Sequence, residues 1–242
     1  MSKKNYTHII AIIDRSGSMI NIRKDMEGGF DNFIKDQKGV EGTATLTLAQ
    51  FDDKYEVVHS NVAIADVGSF SLEPRGGTAL LDAIAKTLNS ERDRLKKVDE
   101  NDQPEKVICI VITDGDENSS VEYNRQRVFE MILDLEGEEA PQWDFVFLGA
   151  NQDAISEGGS MGIRAASTMT YAASSVGATR AFDSLSKGMS NYRTSDVGKR
   201  YSFSDDDRKK QEDLLNANKF GKAIPSHMTD LAEDVEDEDL KA

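Results

Sequence analysis

The sequence predicts an α/β fold: a doubly wound, mostly parallel six-stranded sheet with one antiparallel edge strand and helices on both faces. Three observations predict it. Continuous apolar runs recur at 9–13 and, closed by Thr113, at 107–113, and such runs read as strands buried on both faces. Segments with apolar residues at helical spacing lie between them, and this alternation calls for parallel strands joined by crossover helices. One stretch before residue 51 alternates instead. A short turn and a second β-rich run follow it, which supplies the antiparallel edge.

The elements follow in order. Ile9-Ile10-Ala11-Ile12-Ile13 is the first strand and runs straight into Asp14-Arg15-Ser16-Gly17-Ser18. Met19 to Gln37 sets Ile22, Met26, Phe30, Phe33 and Ile34 at helical spacing; Gly28 and Gly29 weaken that pattern without forbidding it. Gly39 and Gly42 end the connection. Ala44 to Phe51 is a strand, Asp52-Asp53-Lys54 a turn, and Tyr55 to His59 the return strand. Asp52 and Asp53 read as turn formers rather than ligands. Asn61 to Arg75 is irregular. Gly76-Gly77-Thr78 then opens a helix carrying Leu80, Leu81, Ile84, Ala85, Leu88 and Leu95. Val98 to Glu105 is a polar loop, and Lys106 to Thr113 is a strand ending in Asp114-Gly115. Ser119 or Ser120 is expected to cap a helix whose apolar face holds Val128, Phe129, Ile132, Leu133 and Leu135. Gln142 to Leu148 is the fifth strand. A short helix ends near Gly162, and Thr168 to Ala172 is the sixth strand. Ser175 is expected to cap the next helix, with Val176, Phe182, Leu185, Met189 and Tyr192 on one side.

Residues 1–193 are thus expected to form one domain. Residues 194–229 make a C-terminal extension, in which Ser204-Asp205-Asp206-Asp207 starts a short helix anchored by Leu214 and Leu215. Residues 230–242 read as an acidic disordered tail.

The 242 residues are enough for one large core, and the net charge is −15. That charge argues against a nucleic-acid or anionic-membrane surface, since both reward basic patches. Cys109 is the one cysteine and reads as a buried core thiol, so the fold does not depend on an oxidising compartment. The apolar run before Asp14 is too short for a secretory core, and no segment approaches membrane length. The expectation is a cytoplasmic protein. His8, His59 and His227 lie far apart with no ligand spacing and read as structural.

In an open α/β sheet the strand carboxyl ends share one edge, and ligands bind there. Asp14, Ser16, Ser18, Thr78 and Asp114 can therefore meet at one place. All five present oxygen and none nitrogen or sulfur, which suits a hard cation such as Mg²⁺. Ser16 and Ser18, two apart in a loop leaving a strand, can aim both hydroxyls at one point, with Gly17 allowing the close turn. Neutral hydroxyls leave the cation much of its charge, so an anionic ligand from outside, such as a carboxylate of another protein, fits. Asp116 and Glu117 read as solvated loop acids. Asp114-x-Asp116-x-Asn118 begins like a calcium loop, but Ser119 stands where glycine is needed and Arg125 where the bidentate Glu belongs.

Taken together, Asp14-x-Ser16-x-Ser18, Thr78 after Gly76-Gly77, and Asp114 in Thr113-Asp114-Gly115 resemble the metal-ion-dependent adhesion site (MIDAS) of von Willebrand factor A (vWA) domains. The resemblance covers roughly Tyr6 to Tyr192. It implies the Rossmann-like vWA fold. Ser16, Ser18 and Thr78 would be the hydroxyl ligands, and Asp14 and Asp114 the two acids, one or both acting through water. It further implies Mg²⁺, or Mn²⁺ in its place, and a protein partner whose Asp or Glu completes the metal shell. The small size is similar to the stand-alone cytoplasmic A domains of bacteria and phages, some of which work beside AAA+ ATPases or in stress-response systems.

The sequence favours a binding module over an enzyme. A metal-assisted phosphotransfer reading would make Asp14 the nucleophile, as in haloacid-dehalogenase-like enzymes. Those place a second Asp two residues on as acid/base, and here that position is Ser16. There is no GxxxxGK(S/T) and no GxGxxG after a strand, and no Ser–His or Cys–His pair suggests itself. A virion or assembly scaffold using the fold independently of metal is the other alternative.

Overall fold

The computed structural model describes residues 3–138, 140–150 and 153–220. Six strands form one sheet: β1 (Lys3–Asp14), β2 (Thr43–Phe51), β3 (Tyr55–Ala63), β4 (Pro104–Thr113), β5 (Gln142–Ala150) and β6 (Thr168–Tyr171), in the order β3-β2-β1-β4-β5-β6. Only the β2–β3 pair is antiparallel. The predicted class therefore holds.

The continuous apolar runs are explained by burial on both faces. Ile9, Ala11 and Ile13 of β1, with Ile108, Ile110 and Ile112 of β4, face one core. That core is closed by α1 (Arg23–Gly39) and α5 (Ser175–Thr194) through Phe30, Phe33, Phe182 and Leu185. Ile10, Ile12, Val107, Cys109 and Val111 face the other. That side is closed by α2 (Leu80–Leu95), α3 (Arg125–Glu136) and the short α4 (Ala154–Ser160). Gly29 has a packing reason: a Cβ there would lie 2.1 Å from the Phe182 ring, so glycine lets α1 and α5 approach.

Several local expectations are corrected. The first helix opens as a 3₁₀ turn over Gly17–Ile22 and becomes α-helical only at Arg23. β3 runs on to Ala63, with register shifts against β2; such irregularities blunt a sheet edge. Asn124 caps α3, its side chain accepting the Arg127 N–H at 2.9 Å. Ser119 and Ser120 do not serve there because α3 starts only at Arg125, and their hydroxyls instead donate to Asn118 and Glu117. Leu133 is exposed, and Met131 takes a buried place on α3. Ser174 rather than Ser175 caps α5, accepting from Gly177 N–H at 3.2 Å.

The extension does more than add a short helix. The chain after α5 turns back under the sheet, and Tyr201 and Phe203 join the α1/α5 core. α6 (Asp205–Phe220) then lies along β6. Arg208 bonds the carbonyls of Ala165 and Ala166, and Gln211 bonds Ala172 and Gly177. Of the two expected anchors, Leu214 is buried on Ala172 and Leu215 is partly buried beside it. The acidic segment from Asp230 lies outside the described residues.

His8 is structural, as expected. It is fully buried in β1, with Nδ1 2.8 Å from Thr45 Oγ1 and Nε2 3.1 Å from Glu91 Oε2; burial lowers its pKa. His59 is partly exposed on β3, and His227 is outside the described residues. Among the described residues no helix is long and apolar enough to cross a membrane.

Candidate metal centre

The sheet order reverses direction at β1, whose neighbours are β2 on one side and β4 on the other. A doubly wound sheet opens a crevice at such a switch point, outside the strand carboxyl ends. Asp14 is the last residue of β1 and Asp114 follows β4 directly, so both carboxylates stand at that crevice.

The structure brings all five expected residues together. Ser18 Oγ donates to Asp114 Oδ1 at 2.6 Å, and Ser16 Oγ lies 3.1 Å from Ser18 Oγ. A Cβ placed on Gly115 would lie 3.3 Å from Thr78 Oγ1, 3.6 Å from Ser18 Oγ and 4.0 Å from Ser16 Oγ. Three hydroxyls from two loops thus surround one point, in a cradle that the missing side chain of Gly115 leaves open. Two carboxylates and three hydroxyls, all oxygen, fit a hard dication such as Mg²⁺ or Mn²⁺. This differs in kind from a carboxylate, histidine or thiolate cluster. Among the described residues no group of three or more such side chains is placed to hold a metal.

Asp14 is fully buried. Its Oδ1 accepts the Ser16 N–H and its Oδ2 the Thr113 hydroxyl, both at 2.6 Å. Burial pushes its pKa up, the bonds from Thr113 and Ser16 pull it back, and the charge of Asp114 adds to the rise, leaving it at about 6. Burial also raises Asp114, against the bond from Ser18. Without a counter-cation, two acids in one crevice disfavour their own ionisation.

The loops are locked by residues to which the sequence reading gave no such part. Asp52 does form the expected turn, its Oδ1 accepting from Lys54 N–H at 2.7 Å. Its Oδ2 also receives Nε of Arg15 and of Arg75, each at 2.8 Å. Asp53 Oδ1 accepts from Gly77 N–H at 2.9 Å. The β2–β3 turn therefore ties the Ser16 loop to the Thr78 loop. Gly76 sits at φ +67°, and a Cβ there would meet Asp53 Oδ2 at 2.5 Å, so this junction requires glycine.

Glu117 corrects another expectation. It is not a solvated loop acid. Its carboxylate accepts from the amides of Leu81, Ser119 and Ser120 and from the Ser120 hydroxyl, at 2.7–2.9 Å. It caps the first turn of α2, where negative charge is favoured, and pins the loop that carries Asp114. Asp82 completes the lock by accepting from the amides of Val121, Glu122 and Tyr123. Asp116 is exposed, as expected. The one local hint among these was Thr113, a polar residue closing an apolar run.

No family model and no curated protein matches the sequence. Solved structures do match. The chain is similar to the pilus adhesin SpaC from Lactobacillus rhamnosus GG, with TM-score 0.58 and 13% identity over 77% of this chain and 31% of that one. It is similar to proximal thread matrix protein 1 from the mussel byssus, with TM-score 0.54 and 17% identity over 76% of this chain and 46% of that one. A von Willebrand factor type A structure from Catenulispora acidiphila gives TM-score 0.51 and 15% identity over 76% and 43%. The chain thus spans less than half the length of these three proteins. The mussel protein has also been solved with a zinc-occupied MIDAS motif. Identities this low speak for architecture alone: the chain has a von Willebrand factor A-like fold.

Proposed function

We propose that this chain is a divalent-cation-dependent protein-binding module. Asp14, Ser16, Ser18, Thr78 and Asp114 would hold Mg²⁺, or Mn²⁺ in its place, as an intact MIDAS. A partner's Asp or Glu would complete the shell. The observation that carries this reading is the set of three hydroxyls around one point, flanked by two carboxylates at the switch point of the sheet. A bound dication supplies positive charge that a partner carboxylate can take up. The chain's own residues hold the geometry: Thr113 and the Ser16 amide fix Asp14, and Glu117 and Asp82 fix the Asp114 loop. Both oxygens of Asp14 are engaged by these bonds, which speaks for a positioning carboxylate over a nucleophile. The setting that belongs to this reading is the cytoplasm; Cys109, the one cysteine, is a buried free thiol in β4, so the fold needs no oxidising compartment.

The first test is linkage. A ligand that binds only the native state stabilises it by mass action; for an affinity of about 0.1–1 mM, 10 mM Mg²⁺ would add roughly 1.4–2.7 kcal/mol. The melting temperature is expected to rise by several degrees. An unchanged melt in Mg²⁺ and Mn²⁺, with no heat in calorimetry, sinks the reading. Hydrolysis of a generic phosphate ester in Mg²⁺ that Asp14→Asn abolishes would turn it toward an enzyme.

Glu117→Ala tests the positioning. It removes four hydrogen bonds from one carboxylate. The expected cost is about 1–2 kcal/mol, as for loss of a helix cap, together with weaker Mg²⁺ binding by calorimetry. Full Mg²⁺ affinity in the folded variant would show that the Asp114 loop holds its shape without Glu117.

A further inference from the structure

The loops that carry the metal ligands also carry the two most exposed large apolar side chains among the described residues, Val121 at 88% and Ile20 at 64%. Single exposed apolar residues are ordinary on a protein surface; these two are set apart by where they stand. Ile20 lies two residues after Ser18, in the 3₁₀ turn that fully buried Met19 anchors. Val121 lies two residues after Ser119, whose amide donates to Thr78 O at 3.3 Å. Two residues of chain span at most about 7 Å, so both apolar residues stand at the rim of the cradle. Both are also held in place. The Met19 amide donates to Ser16 O at 3.1 Å, and the Val121 amide to Asp82 Oδ2 at 3.0 Å. A rim fixed in this way loses little conformational entropy when a partner covers it.

The charge around the cradle is negative. A bound dication is balanced by Asp14 and Asp114. Arg15 and Arg75 are balanced by Asp52 and Glu56, with which they pair at 2.6–2.8 Å, and Glu122 is balanced by Lys86 at 2.7 Å. Two exposed acids stand beside the ligands as well. Asp116 lies two residues after Asp114, and Asp53 holds the Gly77 amide next to Thr78. The rim is therefore acidic around a single cation, in a chain of net charge −15. A partner segment rich in acids meets repulsion there. A lone carboxylate with apolar neighbours and a basic residue farther out meets a complementary group at each position.

Resting on the metal-dependent reading above, we propose that the partner offers a segment in which one Asp or Glu stands between apolar residues, with Lys or Arg beyond them. The carboxylate takes the Mg²⁺, the apolar residues cover Ile20 and Val121, and the basic residue faces the acids of the rim. Ile20 and Val121 thus select the partner without touching the metal.

The probe is a displayed library of short peptides with one fixed Asp and random flanks, selected on the full chain in Mg²⁺ and in EDTA. Mg²⁺ binding is followed by calorimetry. Selection is expected in Mg²⁺ alone, with apolar residues enriched beside the Asp, Lys and Arg enriched beyond, and further acids depleted. A peptide of the selected pattern is expected to lose at least about tenfold in affinity on the double variant Ile20→Ser, Val121→Ser, since each truncation removes apolar area from the contact. That variant should keep the Mg²⁺ affinity and melting temperature of the wild type, because both side chains lie at the surface. Enrichment of acids beside the fixed Asp overturns the proposal, as does equal peptide affinity on the folded double variant, or selection that survives EDTA. No selection by a chain that takes up Mg²⁺ overturns it too. A Mg²⁺-dependent dimer in sedimentation overturns it in favour of a second copy of the chain. If the chain takes up no Mg²⁺, the metal-dependent reading itself fails and this proposal falls with it.

Discussion

Asp14→Asn is expected to stabilise the metal-free protein at pH 7 while abolishing Mg²⁺ binding. The Asp14 carboxyl stands at about 6 in the fold against 3.8 as its ordinary value. The native state therefore binds this proton more tightly than the unfolded chain does. Between those two values stability falls as pH rises, and above about 6 the whole cost is present. That difference corresponds to up to about 3 kcal/mol for this buried group. Asn keeps an oxygen for the Ser16 amide and offers an N–H toward the Thr113 hydroxyl, so the loop geometry survives. In EDTA, wild type should melt lower at pH 7.5 than at pH 5 by a margin that Asp14→Asn lacks. Mg²⁺ needs the ionised acid, so its affinity for the wild type should drop as pH falls through about 6. A large fall in the melting temperature of Asp14→Asn in EDTA would make Asp14 a structural residue. Full Mg²⁺ affinity in the folded variant would remove it from the metal shell.

Tyr201→Ala is expected to cost about 3–5 kcal/mol, as truncation of a large buried aromatic does, and to lower the melting temperature by on the order of ten degrees. Tyr201 is buried against Tyr192 and Phe203 with edge-on ring contacts at 6.3 and 5.1 Å. It fixes the turn that brings the chain from the end of α5 to α6. Its hydroxyl has no hydrogen-bond partner among the described residues. Tyr201→Phe should therefore match the wild type or exceed it slightly, because a buried unpaired polar group is costly. Thermal melts of the two variants separate the effects. If Tyr201→Ala melts like the wild type, residues 196–204 are peripheral to the core. Both variants should bind Mg²⁺ with unchanged affinity when folded, since Tyr201 lies toward the opposite edge of the sheet from the cradle.

The sequence alone determined the sheet and the chemistry of its edge. Strands buried on both faces favour apolar side chains at successive positions, so Ile9 to Ile13 of β1 and Val107 to Ile112 of β4 are legible as unbroken runs. The parallel α/β rule then puts all their carboxyl ends on one side. Asp14, Ser16, Ser18, Thr78 and Asp114 could be assembled from chain position before any distance was known. The tertiary structure decided what holds those residues in place. Asp52 with Arg15 and Arg75, Thr113 with Asp14, and Glu117 with Leu81 are pairs 23 to 99 residues apart. Periodicity is a local signal, and a hydrogen bond across such distances leaves no trace in it. Tyr201 and Phe203 were missed for a related reason: two aromatics in an irregular stretch show no period, and only the return of the chain under the sheet gives them a core to enter. The direction of α6 belongs with these. Its polar sequence, with two leucines as anchors, names a helix and says nothing of where it points. The bonds of Arg208 to Ala165 and of Gln211 to Ala172 set that direction.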